Sequence, residues 1–254
     1  MLTLVTNYYK NFRCIADKCD HTCCAGWEID IDDESLEKYQ GWPGSFGEKL
    51  RANISLEETP HFILKPGDRC PFLQDDGLCE MILSIGEENL CQICTDHPRF
   101  RNFWTDMIEM GIGMSCKEAA RLILSSKEAL SLEILPNKNP GEDSGIDLRA
   151  FIKTLPEDEQ YLIEFRNGLL GNAELIFEEP LKRLYEYLVF RHIADALYDD
   201  MLNERLAFVD WAFASISDQW TDGKLSSLVE IAAAFSEKYE YNPELQKSVM
   251  ESLL

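Results

Sequence analysis

Four cysteines within eleven residues, Cys14, Cys19, Cys23 and Cys24, constrain this chain more than anything else in it. Five more follow at Cys70, Cys79, Cys91, Cys94 and Cys116. The start, Met1 to Lys10, has no positively charged region leading into an apolar run, so it does not read as a secretory signal. No stretch is long and apolar enough to span a bilayer; even Leu228 to Phe235 is broken by Glu230. The expectation is a cytoplasmic protein, where thiols stay reduced and clustered cysteines are more often ligands or catalysts than disulfides.

A vicinal pair sharpens that reading. Adjacent α-carbons stand about 3.8 Å apart, below the span of about 4.4–6.8 Å that a disulfide prefers. Cys23 and Cys24 therefore serve separate roles or separate metal atoms rather than each other. Soft thiolates suit zinc and iron–sulfur centres alike, and ligands drawn from one short loop cost little closure entropy. A closed zinc site usually shows paired CxxC or Cys/His knuckles. Only Cys91 and Cys94 have that form, so the pattern favours iron–sulfur, with zinc as the alternative metal. An isolated cysteine is also a common buried small hydrophobe, and that is the reading for Cys91.

The formal net charge of −22 over 254 residues excludes nucleic acid and anionic membrane as main partners, since both need a basic surface. Acidic residues are spread along the chain, which serves solubility first and can also favour a lysine-rich protein partner.

Taken in order, Asn7 to Arg13 reads as an ordered arm and Cys14 to Gly26 as loop with a helical turn. Trp27 to Asp32 alternates apolar and acidic residues as a short strand does. Asp32 or Asp33 caps a helix that stops at Gly41, and Ser45 caps another to about Asn53. His61 to Leu64 reads as a strand. Asp76-Gly77 turns a hairpin that sets Cys70 and Cys79 diagonally across it. Glu80 to Ile85 is helical and ends at Gly86, and Glu87 to Cys94 makes another helical turn. Pro98 holds His97 out of a helix. Phe100 to Met114 resembles one or two strands, and Ser115 with Glu118 forms a reciprocal cap on a helix to about Ser126. Past the Pro-, Asn- and Gly-rich stretch, helices are expected at 157–170, 180–199, 202–216, 224–239 and 243–254, with no further strand. The architecture is thus mainly α, with a small α+β cysteine-rich N-terminal lobe (1–127), a linker (128–145) and an all-helical C-terminal lobe (146–254).

Of the histidines, His21, His61 and His97 flank cysteine groups as ligands, outer donors or ordinary satisfied histidines. Arg191-His192 lies on an otherwise apolar helix, where a charge needs a partner. Asp195, one turn on, is one such partner; a basic spot on a cleft, meeting a carboxylate, is the other reading. The chain carries no P-loop, no dinucleotide-binding glycine fingerprint and no GxSxG turn. The CxxxCxxC spacing of ordinary radical S-adenosylmethionine enzymes is absent as well.

Together, Tyr8-Tyr9-Lys10-x-Phe12-x-Cys14, Cys19-x3-Cys23-Cys24-x2-Trp27-x-Ile29, Cys70-Pro-Phe-Leu, Leu78-Cys79, Cys94-x2-His97-Pro98-Arg99 and Ser115-Cys116 resemble the flagellin lysine-N-methylase family. Tyr187 to His192 resembles its helical C-terminal half. The CxxxCC core is also similar to smaller zinc- or iron-chelating proteins. The resemblance implies a four-iron, four-sulfur cluster and S-adenosylmethionine as methyl donor to a lysine amine of flagellin or another protein. It implies Cys14, Cys19, Cys23, Cys24, Cys70, Cys79, Cys94 and Cys116 as metal ligands, with Cys91 extra. Arg99, Arg191 and His192 are the candidate cofactor-binding residues. Eight thiols exceed the usual four of one cluster, which leaves room for a second cluster, a zinc or structural thiols. The alternative function is a non-catalytic zinc- or iron-binding or electron-transfer protein.

Overall fold

A computed structural model describes residues 1–136 and 145–253. The core of the expected linker, 137–144, lies outside the described residues. The protein is mainly α with a small mixed sheet, and it divides into two compact units. One is Cys14–His97; the other joins Met1–Arg13 to Pro98–Leu254. The division does not fall at the expected linker. The reason is strand β1 (Leu2–Thr6), which the sequence reading left unassigned and which pairs with residues more than a hundred positions on.

Within Cys14–His97 the elements are short. Helix α1 (Asp33–Gly41) starts where Asp32 accepts the Ser35 N–H at 3.0 Å, the expected cap. Helix α2 (Gly44–Ala52) follows at once. Strands β2 (Ile54–Ser55) and β3 (His61–Phe62) pair antiparallel. The strand expected at 27–32 is reduced to a single bridge between Asp30 and His61. Helix α3 (Glu80–Ile85) ends as expected at Gly86, whose φ of 88° suits a residue without a Cβ. Helix α4 (Gln92–Asp96) closes the unit. Its core is Ile29, Ile31, Tyr39, Leu50, Phe62, Phe72, Leu73, Met81 and Ile85, with Cys70 and Cys91 buried among them.

In the other unit, β4 (Arg99–Phe103) and β5 (Met107–Ile112) form a hairpin. Helix α5 (Lys117–Leu124) comes next; Cys116, not Ser115, is its N-cap, and no side chain caps it. Strand β6 (Leu132–Ile134) lies inside the expected linker. The sheet order is β4-β5-β1-β6, with β1 parallel to β5 and antiparallel to β6. Such a strand is invisible to local pattern because its partners are remote in sequence.

Helices α6 (Leu148–Ile152), α7 (Glu157–Ile176), α8 (Leu181–His192), α9 (Ala196–Asp199), α10 (Leu202–Gln219), α11 (Leu225–Tyr239) and α12 (Pro243–Ser252) complete the unit. The apolar pattern places Leu181, Leu184, Tyr185 and Leu188 on one face of α8, widened by Val189. Leu184, Leu188 and Val189 are buried and Leu181 and Tyr185 half-buried, while Tyr187 and Phe190 are buried as well because neighbours surround the helix. These side chains share one core with Leu2, Leu4, Met107, Ile123, Phe208 and Leu228.

Candidate metal centre

Eight of the nine cysteines lie in Cys14–His97, and all nine are free thiols. The first loop is held at several points. A single 3-10 turn, Ala16–Lys18, separates Cys14 from Cys19. The Trp27 indole donates to the Cys23 carbonyl at 2.8 Å, and Cys70 N–H donates to the Cys24 carbonyl at 2.8 Å. Gly26, at φ 90°, donates to the Asp68 carbonyl at 3.0 Å in a backbone region other residues rarely occupy. The vicinal cysteines are thereby laid alongside the Cys70 segment.

The second loop turns as its Asp-Gly pair indicates. Gln74 N–H meets the Leu78 carbonyl at 2.9 Å, Gly77 has φ 83°, and Leu73 bridges Cys79. Cys79 and Cys91 stand at the N-caps of α3 and α4. Asp32 fastens the two ends of the unit, because its second carboxylate oxygen accepts the Gln92 N–H at 2.7 Å. Cys91, set aside in the sequence reading as packing, has its Sγ 3.5 Å from Cys94 Sγ.

Peptide N–H groups two or three residues on pull four of these thiols down. His21 serves Cys19, Phe72 and Leu73 serve Cys70, Met81 and Ile82 serve Cys79, and Cys94 serves Cys91. Such donors favour the thiolate and tune a metal bound to it. Burial works the other way. It raises the Cys70 thiol to about 11 and lifts Cys19 and Cys79 as well. Cys23 is held far up by its contact with Cys24 and by burial. Cys94 is likewise held up, first by the Cys91 sulfur, and Cys91 is lowered by the same contact.

The thiols also repel one another. Cys79 feels Cys23 and Cys91; Cys70 feels Cys79 and Cys91; Cys94 feels Cys24 and Cys70; Cys19 feels Cys14 and Cys23. Each of these sulfurs that loses its proton thus makes its neighbours harder to deprotonate. Bound cationic metal relieves that penalty. Among the described residues, no three His, Cys, Asp or Glu side chains close around a single metal ion as they stand. A polynuclear cluster spreads its ligands over several atoms, so an all-sulfur set with peptide donors fits it without a preformed single-ion cage.

The other expected site residues are placed differently. Cys116 belongs to the other unit, half-buried against the helical core at the start of α5. Arg99 lies 5.5 Å from the Tyr9 ring centre and 5.4 Å from that of Phe12. His192 is buried and bonded to Glu240 at 2.8 Å, while Arg191 sits 4.2 Å over the Phe100 ring. Asp195 accepts from Arg205 at 2.9 Å. Arg191-His192 is therefore an internal pair facing a buried carboxylate. The His61 ring contacts its own chain at the Thr59 carbonyl, 2.8 Å away, and the rings of His97 and Trp27 are 6.2 Å apart.

Fold and thiols together define a mainly helical protein of two units, with eight of its nine cysteines in one of them. No family model and no solved structure matches the chain. It is similar to the Lysine-N-methylase of Salmonella choleraesuis (strain SC-B67), with 22% identity over 89% of this chain and 55% of the relative. It is also similar to the Lysine-N-methylase of Salmonella typhimurium (strain LT2), with 21% identity over the same shares. The Flagellar biosynthetic protein FliU of Salmonella muenchen is 26% identical over 49% of this chain and 78% of the relative. The chain thus spans about half the length of the lysine-N-methylases it matches. These similarities bear out the resemblance to the flagellin lysine-N-methylase family drawn from the cysteine pattern.

Proposed function

We propose that the chain is a metal-dependent protein lysine N-methylase, its thiols in Cys14–His97 holding an iron–sulfur cluster and its methyl donor being S-adenosylmethionine. The observation that carries the metal part is the gathering of eight free thiols in Cys14–His97, with Cys91 Sγ and Cys94 Sγ 3.5 Å apart. Similarity to two lysine-N-methylases supports the reaction. A protein substrate such as flagellin is supported by the FliU relative. The net charge of −22 favours a lysine-rich surface as the docking partner.

In the reaction the neutral lysine amine attacks the sulfonium methyl carbon. The carbon–sulfur bond breaks with its electrons on sulfur, and the new ammonium sheds a proton. The amine must be deprotonated first, which carboxylates and desolvation arrange. A bound cluster would supply redox-capable, Lewis-acidic iron. Cys14, Cys19, Cys23 and Cys24, exposed or half-buried, would hold it, with Cys70 tied to their loop through the Cys24 carbonyl.

A second reading needs only the free thiols of Cys14–His97: a zinc- or iron-binding or electron-transfer protein. The test is anaerobic purification, then iron, zinc and sulfide analysis with a visible spectrum. Calorimetric binding of S-adenosylmethionine and mass spectrometry of flagellin lysines follow. Brown protein that binds the donor and adds 14 Da per methyl supports the proposal. Metal-loaded protein that ignores the donor leaves only the second reading, and protein that takes up neither metal removes both.

A further inference from the structure

We infer that Cys91 and Cys94 bind one and the same soft divalent metal atom, which makes Cys91 a ligand and sets this pair apart from the corners of a four-iron cluster. The inference rests on the proposal that the thiols hold metal, and it goes further by assigning two of them to one atom.

The argument is one of distance. Metal–sulfur bonds of about 2.3 Å in a tetrahedral site put two sulfurs about 3.8 Å apart. Cys91 Sγ and Cys94 Sγ stand 3.5 Å apart, close to that edge. In a four-iron cube each iron takes one protein thiolate, so two ligands on neighbouring irons stand farther apart than two on one atom. A disulfide at about 2.05 Å is a different distance again, and both thiols are free. The spacing Cys-x-x-Cys is also the knuckle that closed structural sites use.

The surroundings are built for ligands. Cys91 is fully buried, which suits a structural site closed to solvent. The Cys94 N–H donates to the Cys91 carbonyl at 3.1 Å, closing the turn that brings the two sulfurs together. Asp32 pins the first N–H of α4, so the helix that carries Cys94 is positioned from outside it.

The test uses the full chain, stripped of metal without oxygen and titrated with cobalt(II). Tetrahedral thiolate coordination gives near-ultraviolet charge-transfer and visible d–d bands. Cys91→Ser and Cys94→Ser should each lose one equivalent of tightly bound cobalt or weaken it at least tenfold. The double variant should lose that same equivalent and no more, because ligands of one atom are not additive. X-ray absorption at the cobalt edge should show at least two sulfurs on that atom. Circular dichroism of the metal-free variants checks that they fold; for one that does not, the sulfur count on wild-type protein decides. Full cobalt uptake by Cys91→Ser, or two equivalents lost in the double variant, overturns the inference and leaves the proposed function standing. Wild-type protein that binds neither cobalt, zinc nor iron overturns both.

Discussion

Glu109 stands on the inner side of strand β5, where a carboxylate without a partner is costly, and Arg166 from α7 reaches it with two hydrogen bonds of 2.6 and 2.7 Å. Both side chains are almost completely buried. The guanidinium also lies 5.6 Å from the centre of the Trp104 ring and 5.1 Å from that of Phe190. Arg166→Met strands the Glu109 charge, so a loss of about 3–5 kcal/mol is expected in urea unfolding. Pairing it with Glu109→Leu should recover much of that loss. A second buried group sets the pH response. Burial disfavours the Glu240 carboxylate, but His192, Arg191 and Ser236 outweigh it and hold its pKa near 2. Burial lowers His192 despite the same contact. Both groups bind protons less readily folded than unfolded, so their stabilisation is complete only above about pH 6.5, the unfolded histidine value. It falls as His192 is forced to charge, and falls again between about pH 4.3 and the folded Glu240 value. The urea midpoint should therefore drop as pH is lowered from 7 to 3, and Glu240→Gln should flatten the limb below about pH 4.3.

At the scale of the element, the cysteine unit depends on two tight joints. A Cβ on Gly47 would lie 1.8 Å from the Trp42 carbonyl oxygen and 2.6 Å from its carbon, so α2 approaches the chain ahead of it closely enough to exclude any side chain. Gly47→Ala is expected to cost more than the usual overpacking range of about 1–3 kcal/mol, because backbone must move. It should remove the thermal transition of Cys14–His97 first. Asp32→Ala loses the α1 cap, worth about 0.5–2 kcal/mol, and frees the Gln92 N–H. Faster release of bound metal should accompany its lower melting temperature. Most of the helices were legible in sequence because their signals are local. Asp32 before α1, Gly86 after α3 and the apolar stripe of α8 each act within a turn or two. Strands β1 and β6 were not legible, since Leu4 pairs with Glu109 and Ile134 and nothing near residue 4 announces it. The capping pattern at Ser115 and Glu118 failed for a related reason. Ser115 is buried and Cys116 holds the cap position, so tertiary packing overrides the local motif.

For the whole molecule, Cys14–His97 is an insertion between β1 and β4 of the other unit. Its two ends are neighbours, since Arg99 lies against the rings of Tyr9 and Phe12. Replacing 14–97 with a short glycine–serine linker should leave a helix-rich protein that still unfolds cooperatively, followed by circular dichroism on heating. Chelator added to the full chain should lower only the transition of the cysteine unit; a single transition lost as a whole would refute independence. The sequence by itself determined the mainly helical class, the positions of most helices and the crowding of thiols into the first half of the chain, because propensity, capping and cysteine spacing are properties of neighbouring residues. Only the tertiary structure decided that the first strand belongs with the helical unit, that Arg191 and His192 face a buried carboxylate, that Cys116 lies outside the cysteine unit, and that Cys91 meets Cys94. Each of these depends on chain closure between distant segments or on a rotamer set by packing, and neither is encoded within a window of a few residues.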